Sequence, residues 1–457
     1  MPSAIAARLR LPGGGLWRHR DFLNLWSAET ISQFGTQVSL LAVPTVAILL
    51  LGASAFEVAL LGTIEFLPFI LFTLPAGVWV DRLRRRPVLI VGDLGRAVSL
   101  LSIPVAYALG VLSIYQLYVV GFVNGVLTVF FDVAWQSYLP SLVDRDQIVE
   151  GNSKLEITRS GSQIGGPALA GYLIQVVGAA WAIVADALSF LGSALFVLRI
   201  RKQEAVPVGN AHRDAQTRPG MRTEVMEGLR YVLRHPYLRP IAACTGSSNL
   251  FTNLVFAIYL VYAYRELALD PAVVGLVFAV GNIGYLAGAL LSGWLPRRFG
   301  VGPTIVGGAL LFGPSALLVP LAPRDNPVPF LIASGAVGAF GSVVYNVNQV
   351  SLRQAITPGR MQGRMNATMR FIVWGTIPVG SLLGGVLGSA IGLLPTLWIG
   401  ALGCLVPILP VVFSPVRSLR RIPEPEADET LTRDAIPSVP EERTTIASGP
   451  VATREGR

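Results

Sequence analysis

Long apolar runs follow one another through most of this chain, parted by short loops in which arginine dominates every second time. A helix needs about 20 apolar residues to cross about 30 Å of hydrocarbon. Read with that ruler, the sequence holds about twelve spans, at 22–50, 56–80, 87–109, 114–136, 155–177, 180–199, 240–263, 271–295, 302–321, 328–350, 366–391 and 394–415. Backbone groups inside a bilayer must be satisfied within their own segment, so each run is expected to be a helix. The many Gly and Pro interruptions are tolerated there because neighbouring helices re-satisfy the freed groups. The basic start (Arg8, Arg10, Arg18, Arg20) leads into a run too long for a signal sequence, which is therefore read as the first span.

Composition excludes the main competitors. Only 14% of the 457 residues are charged and 52% are hydrophobic, with a mean hydropathy of +0.58. Soluble domains carry about 25% charged residues, so a soluble enzyme is ruled out. The net charge of +9 would suggest nucleic acid in a soluble domain; here the arginines lie in loops beside apolar runs, and no nucleic-acid partner is expected. Lysine occurs only at Lys154 and Lys202, a bias expected of a bacterium with GC-rich DNA. No G-x-x-x-x-G-K-[ST] loop exists, so this chain alone does not drive anything with ATP. His19, His212 and His235 are scattered in polar segments and Cys244 and Cys404 sit in apolar runs. Neither a metal site, a disulfide nor a catalytic constellation is expected.

The loops fix the expected orientation. One set holds Arg82 and Arg84–Arg86, Arg145, Arg201 and Lys202, Arg297 and Arg298, and Arg353, Arg360 and Arg364; the opposite set has chiefly Arg265 and Arg324. By the positive-inside rule both termini and the central loop face the cytoplasm. The expected organisation is a cytoplasmic segment at 1–20, a six-helix bundle at 21–200, a cytoplasmic loop at 201–239, a second six-helix bundle at 240–416 and a disordered cytoplasmic tail at 417–457. Within the loop, Met221–Arg234 has apolar residues at helical spacing, expected to lie on the inner membrane surface. The halves repeat: Gly77-Val-Trp-Val-Asp81-Arg82 corresponds to Gly293-Trp-Leu-Pro-Arg297-Arg298, and Asp132-Val-Ala-Trp-Gln-Ser137 to Asn346-Val-Asn-Gln-Val-Ser351. The fold class expected is an all-α polytopic membrane protein of two pseudo-symmetric six-helix bundles, suited to rocking about a central site.

The segment Gly77-Val-Trp-Val-Asp81-Arg82-Leu-Arg84-Arg85-Arg86-Pro-Val-Leu89 resembles the motif G-x-x-x-D-R-x-G-R-R-x-x-L of the major facilitator superfamily, departing only at Arg84. The resemblance covers about residues 20–416 and implies alternating access. Phe22-Leu-Asn-Leu-Trp26, Ile31-Ser-Gln-Phe-Gly35, Phe66-Leu-Pro68, Asp93-Leu-Gly-Arg96, Asp186-Ala-Leu-Ser-Phe190 and Glu227-Gly-Leu-Arg-Tyr-Val-Leu-Arg-His-Pro236 resemble the macrolide-efflux and enterobactin-exporter-like branch, whose members export drugs, siderophores or secondary metabolites. Gly166-Pro167 with Gly171 partly matches the antiporter motif of the fifth helix. The fourth-helix arginine tied to proton transfer in drug antiporters is replaced by Gly121, and Thr36 stands where the branch often has Asp.

Two groups of residues carry the expected mechanism. Gly77 is expected to admit a close helix, and Asp81 to accept hydrogen bonds from a facing helix or arginine when the cytoplasmic side closes. With Arg82, Arg85 and Arg86 it forms a gate, joined by Asp93, Arg96, Asp132 and Arg370; the alternative is that the arginines only anchor topology. Charges inside spans are costly and functional by default. Glu29, Gln33 and Gln37, spaced i, i+4 and i+8, form a polar stripe expected to face a wet cavity, with Glu65 near mid-depth of the second span. Glu29 and Glu65 are candidate proton or cationic-substrate sites, or else structural acids. Arg159, Asn249 and Asn253 complete the cavity set. Trp26, Trp135, Trp181, Trp294, Trp374 and Trp398 are read as interface anchors, with Trp374 and Phe371 as alternative cavity or core residues.

The function expected is a secondary active transporter of the plasma membrane, a proton-coupled exporter of an amphipathic small molecule, working as a monomer among lipids without cofactor other than the proton gradient. An importer or uniporter on the same fold, a non-transporting sensor and a lipid flippase remain alternatives, because fold does not dictate function.

Overall fold

The computed structural model describes residues 15–80, 83–144, 147–202, 221–421 and 423, which form helices and turns without a strand. The helices of the first half are α1 (Arg20–Thr45), α2 (Ala55–Val80), α3 (Arg85–Ala108), α4 (Ile114–Leu142), α5 (Ile148–Val177) and α6 (Ala179–Arg199). The amphipathic helix α7 (Met221–Arg234) follows. The second half holds α8 (Leu238–Arg265), α9 (Pro271–Leu291), the short α10 (Leu295–Phe299), α11 (Val301–Ser315), α12 (Val328–Ile356), α13 (Gly359–Ala390), and α14 (Leu393–Gly403) with the short α15 (Ile408–Val412), which together make one crossing. Asp81, Arg82, Arg145 and nearly all of the expected disordered tail lie outside the described residues.

Local sequence explains the breaks. Ser113 caps α4 by accepting from the Gln116 amide, and Pro271 opens α9 where its missing N–H costs nothing. Inside α1, Pro44 removes a donor, and the next turn widens into a π segment at Val46–Leu50. Gly178 (φ 87°) joins α5 to α6 and Gly392 (φ 92°) joins α13 to α14, both in a region closed to side chains with a Cβ. These two turns are 214 positions apart, the same offset as between Asp132 and Asn346.

Among the described residues, eleven segments are long and apolar enough to cross a membrane. Helix α5, 30 residues long, is too polar to count with them, since its first half carries Glu150, Lys154, Glu156 and Arg159. Outward faces are apolar: on α3, Val91, Leu94, Val98 and Val105 form an exposed stripe, tolerable only against lipid. Several helices outrun the ruler of 20 residues. Of those read at 328–350 and 366–391, α12 runs to Ile356 and α13 starts at Gly359, so Arg353 and Arg364, expected in a loop, stand on helices. The apolar ruler sees only the part in hydrocarbon, and polar turns continue each helix past it.

Small residues let the helices meet. Gly35 on α1 lies over Ser189 and Asp186 of α6, and Gly284 on α9 lies over the Ala336 backbone of α12. The helix α7 does more than lie on a surface: Gly228 fits against Thr368 and the Arg364 backbone of α13, Glu227 accepts from Arg364 at 2.8 Å, and Val232 is fully buried.

The packed cores define two ends. The near end carries the arginine-bearing turns; the far end carries the turns at 50–55, 108–114, 265–271 and 390–393. At the near end the apolar clusters are separate. One (Phe22, Leu25, Val80, Leu89, Tyr138, Ile200) belongs wholly to the first half and the other (Val232, Ile241, Ile305, Leu352, Met365) to α7 and the second half. At the far end the clusters are shared: Val261, Tyr264 and Val274 join a first-half core, and Ala55 joins a second-half core. Hydrogen bonds repeat the pattern, with Thr45 and Tyr264 hydroxyls at 3.0 Å, Arg265 donating to the Ala53 carbonyl at 2.6 Å, and the Phe56 amide to Ser389 at 3.0 Å.

Candidate functional site

Each half encloses its own cavity. The first, of about 350 Å³, is lined by Glu29, Gln33, Thr36, Glu65, Arg96 and Asp132 among others. Successive helical residues advance by about 100°, which places Glu29, Ser32, Gln33, Thr36, Ser39 and Leu40 on one arc of α1, all facing this cavity. Gln37 falls just beyond the arc. It packs instead against Gly166 of α5, where a Cβ would meet its Cγ and Cβ; the expected i, i+4, i+8 stripe therefore turns out of the cavity at its third member. Gln33 donates to Glu29 at 2.7 Å.

Glu65 comes ten residues into α2, about 15 Å along its axis. Its side chain covers Gly121 of α4, where an added Cβ would stand 2.8 Å from Glu65 Cγ. Thus Gly121, the position at which drug antiporters carry arginine, leaves room for the carboxylate and supplies no counter-charge. Among the described residues no hydrogen bond or charged partner reaches the Glu65 carboxylate.

Behind the cavity lies a buried charged cluster. Arg96 pairs with Asp93 at 2.5 Å, and its guanidinium is sandwiched between the rings of Phe131 and Phe190, 4.1 Å from each centroid. Asp93 is fully buried and Asp186 nearly so, the latter accepting from Ser189 at 3.0 Å. Burying this pair is compensated only by such close partners. Asp93, Arg96 and Asp132, grouped from sequence with an end gate, stand about 12–16 Å from the near end of their helices, in or behind the cavity wall. Asp186 belongs with them and was left out of the expected set because a lone acid near one end of a span gives no spacing to read.

At the near end, Arg86 donates to the Val197 and Leu198 carbonyls at 3.2 and 2.6 Å, satisfying the last turn of α6. Arg85 is half-buried. In this conformation no helix packs on Gly77: among the described residues a Cβ there would meet nothing within 4 Å. That follows from the separate near-end cores. Arg159 is exposed on α5 and lines neither cavity.

The second cavity, about 840 Å³, is lined by Asn249, Tyr285, Asn346, Gln349, Arg353 and Arg370, with aromatic and aliphatic neighbours. Asn249 and Asn253 each donate to their own helix backbone at 2.8 Å, and Asn253 turns toward Gly380 instead of the cavity. Arg370, expected at the gate, lies 11 residues into α13, exposed to the cavity, with its guanidinium 5.1 Å from the Trp374 ring. Trp374 meets Phe66 edge-on across the halves, centroids 6.2 Å apart, whereas Phe371 points outward and is 77% exposed. Asn282, absent from the expected set, donates from α9 to the Gln163 carbonyl of α5. No cluster of His, Cys, Asp and Glu suited to a metal occurs among the described residues.

Two helical halves, each with a polar cavity and, among the described residues, sharing a core at one end only, define a membrane transporter of the major facilitator kind. The chain belongs to the transmembrane secretion effector family, whose model matches residues 16–453. It is 27% identical over 395 residues to the multidrug efflux pump Tap of Mycolicibacterium fortuitum, covering 82% of this chain and 93% of that protein. It is 23% identical over 416 residues to macrolide efflux protein A of Streptococcus pyogenes, covering 88% and 97%. Among solved structures, a bacterial homologue of the iron transporter ferroportin overlays with a TM-score of 0.70 in its inward-facing state and 0.56 in its outward-facing state, at 17% and 16% identity; each overlay covers 86% of this chain and 98% of that one. The protein is a multi-pass membrane transporter and not an enzyme.

Proposed function

We propose that the protein exports an amphipathic small molecule across the plasma membrane, drawing on the proton gradient and alternating access. One observation carries this reading: the two halves share apolar cores at the far end and keep separate ones at the near end. Such an arrangement can hinge. With the arginine-rich near end in the cytoplasm, the conformation is closed outward and parted inward, ready to load from inside. The better overlay on an inward-facing transporter agrees, and relatives named as efflux pumps favour export over import.

Glu65 is the proton carrier in this reading. It faces the cavity with neither a counter-ion nor a hydrogen-bond donor among the described residues, so its proton exchanges with whichever side the cavity opens to. Glu29 and Asp132 share the cavity and attract cationic parts of cargo. Asp81, outside the described residues, serves as the latch that pairs when the near end closes; Asp81→Asn stops transport while membrane levels hold. One chain contains both halves, so the monomer is the working unit.

The test is extrusion from cells expressing the protein, over a panel of amphipathic drugs, with and without a protonophore. Extrusion that rises on expression and collapses with the gradient supports the reading. Extrusion unchanged by the protonophore removes proton coupling from it.

A further inference from the structure

The second cavity has a charge character that efflux of an amphipathic molecule does not specify. From Leu238 to Arg421 the carboxylates are Glu266, Asp270 and Asp325. All three lie in far-end turns, where Glu266 already pairs with Arg324 at 2.9 Å. The helices from α8 onward therefore bring no acid to the cavity they enclose.

Two guanidiniums do reach it. Arg353 on α12 is only 8% exposed, and its Nε has no hydrogen-bond partner among the described residues. One turn earlier Gln349 is 2% exposed; it donates to Asn346 at 3.0 Å, while its Oε1 has no partner. Arg370 faces the same cavity from α13, supported by the Trp374 ring. A buried guanidinium without a counter-charge is expensive, and an unsatisfied donor adds to the cost. The usual compensation is a protein carboxylate, and among the described residues none lines this cavity. An anionic oxygen group arriving with a ligand supplies both the missing charge and the missing acceptor, in the bidentate geometry a guanidinium favours. The volume, about 840 Å³, suits a drug-sized molecule, and Trp374, Phe256 and Phe278 offer its body apolar surface.

We propose that the second-half cavity is an anion subsite: Arg353 and Arg370, with the Asn346 and Gln349 amides, take a carboxylate, sulfonate or phosphate carried by the transported molecule. The assignment rests on the export reading for its cargo. Arg353 lies one turn from the near end of α12 and Arg370 about 16 Å along α13, so an anion entering from the near end meets Arg353 first and Arg370 deeper in. A lipid headgroup phosphate presents the same chemistry to Arg353.

The full-length protein in phosphatidylcholine nanodiscs is titrated with radiolabelled cholate and with cholamide, the same amphipathic skeleton without the charge. Cholate is expected to bind about tenfold or more tightly. Arg353→Gln and Arg370→Gln each bring that ratio toward one, and Arg353→Lys or Arg370→Lys restores only part of it, because the charge returns without the bidentate fork. Because the ratio is read within each variant, a general loss of folded protein does not imitate the result. Equal binding of the two compounds by the wild type overturns the proposal, as does a ratio that survives both glutamine substitutions. A second arm adds phosphatidylglycerol to the discs. If native mass spectrometry shows that lipid held through Arg353 while Arg353→Gln leaves the cholate preference intact, the ligand is a headgroup and the cargo assignment falls. Protonophore-sensitive extrusion without anion preference sinks this inference alone; anion-selective binding by a protein that extrudes nothing sinks the export reading alone.

Discussion

In the first half the cavity and the layer behind it carry Glu29, Glu65, Asp132 and Asp186 around Arg96; in the second, the cavity carries Arg353 and Arg370 among amides, with no carboxylate. The scaffolds correspond closely all the same. Gly171 of α5 and Gly385 of α13 are 214 positions apart, and each receives the start of a helix from the other half: α9 at Gly275 and α2 at Ala59. Gly178 and Gly392 end the same two helices at the same offset. The comparison teaches that packing between helices asks only for small residues at a few backbone contacts, which leaves the cavity-facing positions free to diverge. In the proposed reading the first half handles the proton and any cationic part of the cargo, and the second takes its anionic part.

Four substitutions test this division, the strongest first. The largest effect is expected from Glu65→Gln: driven export in everted vesicles falls by at least about hundredfold, a loss no second-half amide can restore, since a general acid-base group is gone. Retained proton-driven export would move the coupling site elsewhere. Next, Gly275→Val places a side chain against the Pro167 carbonyl and Gly171, where the halves share their far end. The hinge should shift outward, seen as lower cysteine cross-linking across the far end and as greater far-end accessibility to a membrane-impermeant thiol reagent. An unchanged pattern would show that α5 and α9 do not set the closed side.

Asp93→Asn leaves Arg96 without its carboxylate partner inside the first half. Removing one member of a buried pair costs about 3–5 kcal/mol, expected as a large drop in detergent unfolding temperature, with cholate selectivity unaffected because the second cavity is separate. Smallest is Arg364→Gln, which breaks the pair with half-exposed Glu227 on α7; about 0.2–1 kcal/mol is expected, read as a small shift in the same unfolding curve. A larger loss would show that this pair, beyond the burial of Val232, fixes α7 to the second bundle.

Much of the architecture was legible because hydrocarbon imposes length and polarity on every helix: α2, α6 and α9 begin within a residue of the apolar runs that announce them. Glu29, Gln33 and Glu65 were legible as cavity residues because a charge or amide in a span needs water or a partner. Gln37 was not, since three residues spaced by four drift around a helix and only neighbouring α5 decides where the arc ends. Arg353 reads as a loop cation because it follows an apolar run, yet α12 continues past the run and buries it in the wall of the second cavity. Arg370 read as a gate residue for the converse reason, α13 beginning earlier than its apolar stretch.

The residue pattern of the chain alone was enough for the order of the apolar helices, the arginine-bearing side and the presence of acids in one half and their absence from the helices of the other. Those properties follow from the transfer of single side chains and segments between water and hydrocarbon, which does not depend on neighbours. Packing across the fold was needed to place Glu65 over Gly121, Arg96 between two rings and, among the described residues, a shared core at one end of the halves alone. Each is a contact between helices far apart in the chain, set by which small residue lets which backbone approach.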